Sequence, residues 1–193
     1  MRGEASRIAD RESRDLLASK LRDTREDAWR IGNELFVITS LLDGNVRIER
    51  ALTDVSRPLE DKVAVLNTLL GDQVHPMTME IMTEVVRRRW SRAADIANAV
   101  EDFGVDAMMY YADATDSTLQ VSIELAELHS ALLNTPVVRA KLYDETVPSE
   151  ARVKFFHELF DGKGLNKVTM RLAEHATENL RRRRYLETIQ WLI

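Results

Sequence analysis

Cysteine is absent from the 193-residue chain. That excludes a disulfide scaffold, a thiolate zinc site, a cysteine nucleophile and a thiolate-ligated iron–sulfur cluster. Glycine and proline are scarce, at 7 and 4 residues. This is about half the average usage, which argues against turn-hungry β-sandwiches and collagen-like repeats. No apolar run approaches the ~18 residues needed to cross a bilayer; Met108-Met109-Tyr110-Tyr111-Ala112 is far too short. The opening Met1-Arg2-Gly3-Glu4 lacks the apolar core of a signal peptide, so a cytoplasmic protein is expected. The net charge is −5, which gives no global reason to expect nucleic acid.

What is present suits helices. Charged residues make up 31% and hydrophobic residues 45%, the balance of amphipathic helices with one wet and one dry face. The length allows one large domain or two of about 100 residues each. Ile31, Leu35, Ile38 and Leu42 step by four, three and four. They form one helical stripe, opened by Asp23 or Thr24 as N-cap and closed by Asp43-Gly44. A short helix is predicted over Val46 to Thr53. Ser56-Arg57-Pro58 starts the next, with proline in its first turn, Val63, Leu66 and Leu69-Leu70 as apolar face, and Gly71 as stop. Pro76 opens a helix carrying Ile81, Met82 and Val85. After a break at Trp90-Ser91, a long helical stretch is predicted from about Ser91 to Ala114, with Gly104 as a possible bend.

The same order then repeats at an offset of 90. The stripe becomes Val121, Leu125, Leu128 and Leu132. Identical pairs include Glu34/Glu124, Leu42/Leu132, Asp54/Asp144, Pro58/Pro148 and Val63/Val153. Past Gly71 a small insertion shifts the offset, and Thr78-Met79 meets Thr169-Met170. Both copies reach an arginine run followed by an aromatic residue, Arg87-Arg88-Arg89-Trp90 and Arg181-Arg182-Arg183-Arg184-Tyr185. The expectation is an all-α chain of two tandem duplicated helical bundles, five or six helices each. Residues 1–92 form the first and 93–193 the second, joined through a shared helical stretch.

Little points to chemistry. His75, His129, His157 and His175 lack the spacing of a metal site. Acidic clusters such as Asp10-Arg11-Glu12 alternate with arginines and read as solvated faces. Phosphate-binding and nucleophile-elbow motifs are absent, so an enzyme is poorly supported and no cofactor is called for. The arginine runs fall at predicted helix C-termini, where cations complement exposed carbonyls. Met77, Met79, Met82, Met108 and Met109 fill a core or line a groove for a partner helix. Met108-Met109-Tyr110-Tyr111 cannot all face inward, because neighbours on a helix differ by 100°; part of that group is expected to be exposed or covered by something else.

Leu132-Leu133-Asn134-Thr135-Pro136, Pro148-Ser149-Glu150-Ala151-Arg152-Val153 and Glu178-Asn179-Leu180-Arg181, in this order and spacing, resemble motifs of the δ subunit of F-type ATP synthase, the oligomycin-sensitivity-conferring protein family. Leu180 stands where that family usually has glycine. Met1-Arg2-Gly3 and Arg88-Arg89-Trp90-Ser91-Arg92 resemble its longer bacterial versions, which carry an extra helical segment ahead of the standard domain.

The resemblance implies a non-catalytic stator component, peripheral at the cytoplasmic face of the cell membrane and without membrane insertion. In the family, a six-helix domain binds the amphipathic N-terminal helix of an α subunit between its first and fifth helices. A following β-rich domain engages the b-subunit stalk. The sequence stops at Ile193, in an apolar helix-compatible segment without a C-cap glycine; the expectation is a fragment ending before that β-rich domain. On this mapping the groove of the second copy includes Val105, Met108 and Met109 from the first helix, and Val168, Leu172 and His175 from the fifth. A secondary groove in the first copy includes Met79, Met82 and Val86. A generic helical-repeat adaptor is the alternative reading, and a nucleic-acid-binding protein using the arginine runs a more distant one.

Overall fold

A computed structural model of the chain describes residues 3–180. Among the described residues it is all α-helical, with no strand. The helices are α1 (Glu4–Asp23), α2 (Ala28–Asp43), α3 (Val46–Thr53), α4 (Leu59–Leu70), α5 (Pro76–Arg87), α6 (Asp95–Ala114), α7 (Thr118–Leu133), α8 (Pro136–Leu142), α9 (Ser149–Phe160) and α10 (Lys167–Glu178). The second arginine run, Arg181 to Arg184, lies outside the described residues. The chain divides into two compact units, Met1–Tyr111 and Ala112–Ile193. The sequence repeat places its boundary at residue 92, whereas the packing divides within the last turn of α6.

The reason lies in how α6 is held in the first unit. Its Ile96, Ala97, Val100, Phe103 and Ala107 join α1, α2, α4 and α5 in one core with Leu17, Leu21, Ile31, Leu35, Leu66, Ile81 and Met82. Polar contacts fix it as well. Arg14 grips Asp106 with two bonds, Nε to Oδ2 at 2.6 Å and Nη2 to Oδ1 at 2.7 Å, the fork geometry that makes arginine–carboxylate pairs strong. The buried Ser6 hydroxyl donates to Asp95 Oδ2 at 2.8 Å. Helix α6 continues unbroken through Gly104. A Cβ there would lie 2.7 Å from the Phe36 ring, and one on Gly32 would lie 2.8 Å from Met108 Cε. The two glycines let α2 and α6 approach closely.

The helix expected to open at Asp23 or Thr24 begins at Ala28 instead. Thr24 ends α1, its hydroxyl donating back to the Leu21 carbonyl at 2.6 Å, and Arg25 at φ +49° turns the chain into a short 3-10 segment. Asn45 caps α3, its side chain accepting from Ile48 N–H. Pro58 sits at the N-cap of α4 rather than inside its first turn. Gly44 closes α2 in right-handed geometry, at φ −76°. The left-handed stop falls at Gly71, φ +51°, where glycine carries no steric penalty.

The second unit packs α7, α8, α9 and α10 around buried Val121, Leu125, Leu128, Leu132, Leu142, Phe156, Val168 and Leu172. Its internal bonds follow those of α2 to α5. In the first unit Glu34 Oε2 accepts the His75 N–H at 2.8 Å and the Thr78 hydroxyl at 2.6 Å. In the second, Glu124 Oε2 accepts the Asn166 N–H at 2.9 Å and the Thr169 hydroxyl. Asp54 and Asp144 each accept from the backbone N–H and hydroxyl two residues on, at Ser56 and Thr146. A buried cation then engages the end of α5 in the first unit and of α10 in the second. Lys62 donates to Val86 O at 3.3 Å, and Arg152 donates to the carbonyls of Thr177, Glu178, Asp144 and Val147.

Candidate partner-binding site

Helix α10 starts where Asn166 caps it, the side chain accepting from Val168 N–H at 2.8 Å. Glu124 binds the same end from α7, placing a carboxylate where the helix dipole favours negative charge. This orientation sends Val168, Leu172 and His175 to one face, which is the inward one: they are 0%, 0% and 1% exposed. The expected groove residues on α10 therefore belong to the packed interior of the second unit. His175 Nδ1 lies 3.8 Å from Glu178 Oε2. Burial pushes the Glu178 carboxyl up, but the nearby His175 and Arg171 outweigh it and hold it below its usual value.

On α6, Met108 is fully buried and faces Gly32 of α2. Val105 and Met109 are half-buried. These three residues fall in the first compact unit, and the α10 residues in the second. On α5, Met82 and Val86 are fully buried in the core, while Met79 packs against it half-open. Of the expected groove residues, Val105, Met109 and Met79 thus keep some surface. The apolar cluster ending at Tyr111 is largely explained within its own unit. The Arg22 guanidinium lies 5.1 Å from the Tyr110 ring centroid, and Trp29 lies 5.4 Å from Tyr111.

Two open clefts lie in the first unit, and neither is lined by Met79, Met82 or Val86. A narrow one of about 180 Å³ follows the seam of α1 and α5, lined by Leu16, Leu17, Lys20, Glu80, Thr83, Glu84 and Arg87. A wider groove of about 550 Å³ lies between α2 and the end of α4, lined mainly by Trp29, Asn33, Val37, Ile38, Leu41, Leu69, Leu70 and Val74. Val37 on its wall is 67% exposed. The signal was legible. Trp29, Asn33, Val37 and Leu41 step by four along α2, beside the stripe that enters the core, so this helix carries more apolar residues than one face needs.

The first arginine run is divided among roles. Arg88 Nη1 bonds Glu12 and its Nε bonds buried Glu84, both at 2.6 Å. Arg87 pairs with Glu84 at 3.3 Å. Carboxylates of the same unit thus engage two of the three cations. Among the described residues no three acidic or histidine side chains converge to hold a metal ion, and no helix is long and apolar enough to cross a membrane.

No family model matches the chain. Curated proteins do. Over all 193 residues it is 82% identical to an ATP synthase subunit delta of Bifidobacterium longum, covering 69% of that protein. It is 73% identical to the Bifidobacterium adolescentis subunit delta, covering 70%. The likeness extends to Streptomyces avermitilis, at 31% identity over 159 residues, which is 82% of this chain and 58% of that subunit delta. This kinship, over the whole chain, decides the family: the chain belongs to the ATP synthase subunit delta family, whose members are non-catalytic subunits of ATP synthase.

Proposed function

We propose that the chain is a stator component of ATP synthase that holds the catalytic head by receiving an amphipathic N-terminal helix of an α subunit. Within the two units, we read α2 to α5 and α7 to α10 as tandem copies of one helical module. A stator resists the torque of a turning rotor, so it needs a stiff body and tight non-covalent attachment. Closely packed helices supply stiffness. A helix laid on an apolar surface supplies attachment through burial, at ~25 cal/mol per Å² before the cost of association.

The observation that carries this reading is apolar surface left open beside complete cores. On α6, Val105 and Met109 keep surface while Met108 fills the interior beneath, and on α5 Met79 keeps surface while Met82 and Val86 are buried. A partner helix laid there covers the half-open residues without unpacking the buried ones. The cleft along α1 and α5 is the corresponding secondary position in the first copy, with Leu16 at 58% exposure on its lip. The b-subunit stalk is assigned, on the family resemblance, to a β-rich domain and not to these helices. The complex holds the chain peripherally, at the cytoplasmic face of the membrane.

Calorimetric titration of the chain with a peptide of the α-subunit N-terminus checks the proposal. The expected result is saturable binding, weakened at least tenfold by Met109→Asp and less by Leu16→Asp. Both positions are partly open, so circular dichroism should report an intact fold. A folded chain that leaves the peptide unbound sinks the reading in favour of an adaptor for another partner.

A further inference from the structure

The second unit contains an electrostatic arrangement for which the first has no counterpart. His157, near the end of α9, is held between two carboxylates from different elements. Its Nδ1 lies 2.8 Å from Asp161 Oδ1, just beyond α9, and its Nε2 lies 3.0 Å from Glu174 Oε2 on α10. A neutral imidazole has one donor, so one of these carboxylates would face a lone pair; only the imidazolium donates to both. The line of alternating charge continues along α10. Arg171 lies 3.4 Å from the other oxygen of Glu174 and 3.3 Å from Glu178, which His175 approaches at 3.8 Å.

At the repeat offsets of 90 and 91, the positions of His157, Asp161 and Glu174 are occupied in the first unit by Asn67, Gly71 and Thr83. None of these titrates. The helix pair α4 and α5 therefore serves as an internal control within the same chain.

We propose that His157 is a proton-operated staple between α9 and α10, closing the second unit more tightly when the ring is protonated. Among the described residues the charged groups acting on the ring are Asp161 from its own side and Glu174 from α10, with Arg171 and Glu178 behind Glu174. The Asp161 bond first, then the Asp161 charge and Glu174, raise the imidazole above the ordinary histidine value, against an opposing effect of burial. The sign follows from linkage. A group whose folded-state pKa is raised gives its full stabilisation below the unfolded value of about 6.5, and that contribution is lost as pH rises through the raised folded value. His157 is 38% exposed, so solvent screening keeps the effect modest.

Two measurements on the full chain test this. In an NMR titration, the His157 ring should titrate above the free-histidine value. In hydrogen exchange corrected for intrinsic rates, protection of α9 and α10 should fall roughly two- to fivefold, the range for a partly exposed ion pair, as pH rises from below the free-histidine value of about 6.5 through the raised value of the ring. Protection of α4 and α5 should not show that fall. His157→Gln should abolish the pH dependence in α9 and α10. A ring titrating at or below about 6.5, or a fall that persists in His157→Gln, overturns the staple. Neither readout involves the α-subunit peptide, so the staple and the stator reading fail separately.

Discussion

Gly104 illustrates how a single residue can mean something other than its type suggests. A glycine inside a helix costs roughly 1 kcal/mol relative to alanine, so Gly104→Ala would stabilise an isolated helix. Here the added methyl meets Phe36 ring atoms at 2.7 and 2.8 Å, in a core where overpacking costs ~1–3 kcal/mol. Gly104→Ala is therefore expected to lower the stability of the first unit by up to about 2 kcal/mol net, read from urea denaturation. A stabilised variant would show that Phe36 yields and that close approach is not what the glycine provides. The composition of the helix could not reveal this, because the clash comes from a residue 68 positions away.

Among elements, the most informative joint is the carboxylate that one helix presents to the start of another. Glu124 on α7 receives the Asn166 N–H and the Thr169 hydroxyl at the head of α10. Gln120 Nε2 holds its second oxygen at 2.8 Å. In the first unit Arg30 Nε does the same for Glu34 at 2.6 Å. Removing Glu124 leaves two donors at the entry to α10 without that partner. Glu124→Ala should cost about 1–3 kcal/mol and loosen α10, measured as lost exchange protection from Val168 to Leu172. An unchanged α10 would mean that water replaces the carboxylate without loss. The pair Glu34/Glu124 was visible as an identity at the repeat offset. Its role was not, since a glutamate four residues from an arginine or glutamine also reads as an ordinary solvated helix pair.

At the scale of the whole molecule, the sequence repeat and the packing divide the chain differently, and the difference is testable. Ile96, Val100, Phe103 and Met108 of α6 are buried, within the compact unit that runs to Tyr111. A fragment of residues 1–111 is expected to be helical and to melt cooperatively. A fragment of residues 1–92 lacks α6 and should be molten or aggregate, because the apolar faces of α1 and α2 lose their cover. If the shorter fragment melts as sharply as the longer, α6 is dispensable to the first unit.

Amphipathic spacing, scarce glycine and proline, and missing cysteine were enough to determine an all-helical chain. They located α3, α5 and the stop at Gly71 closely, because periodicity and capping are local properties. The family motifs, which lie in order along the second half, pointed to the delta subunits. Burial was decided elsewhere. Whether Met108, Leu172 or His175 faces a groove or a core depends on which helix packs against its own, and that neighbour is set by contacts distant in sequence. The same holds for the carboxylates around His157. Glu174 is 17 residues away along the chain, and only the packing of α10 on α9 brings it to the ring.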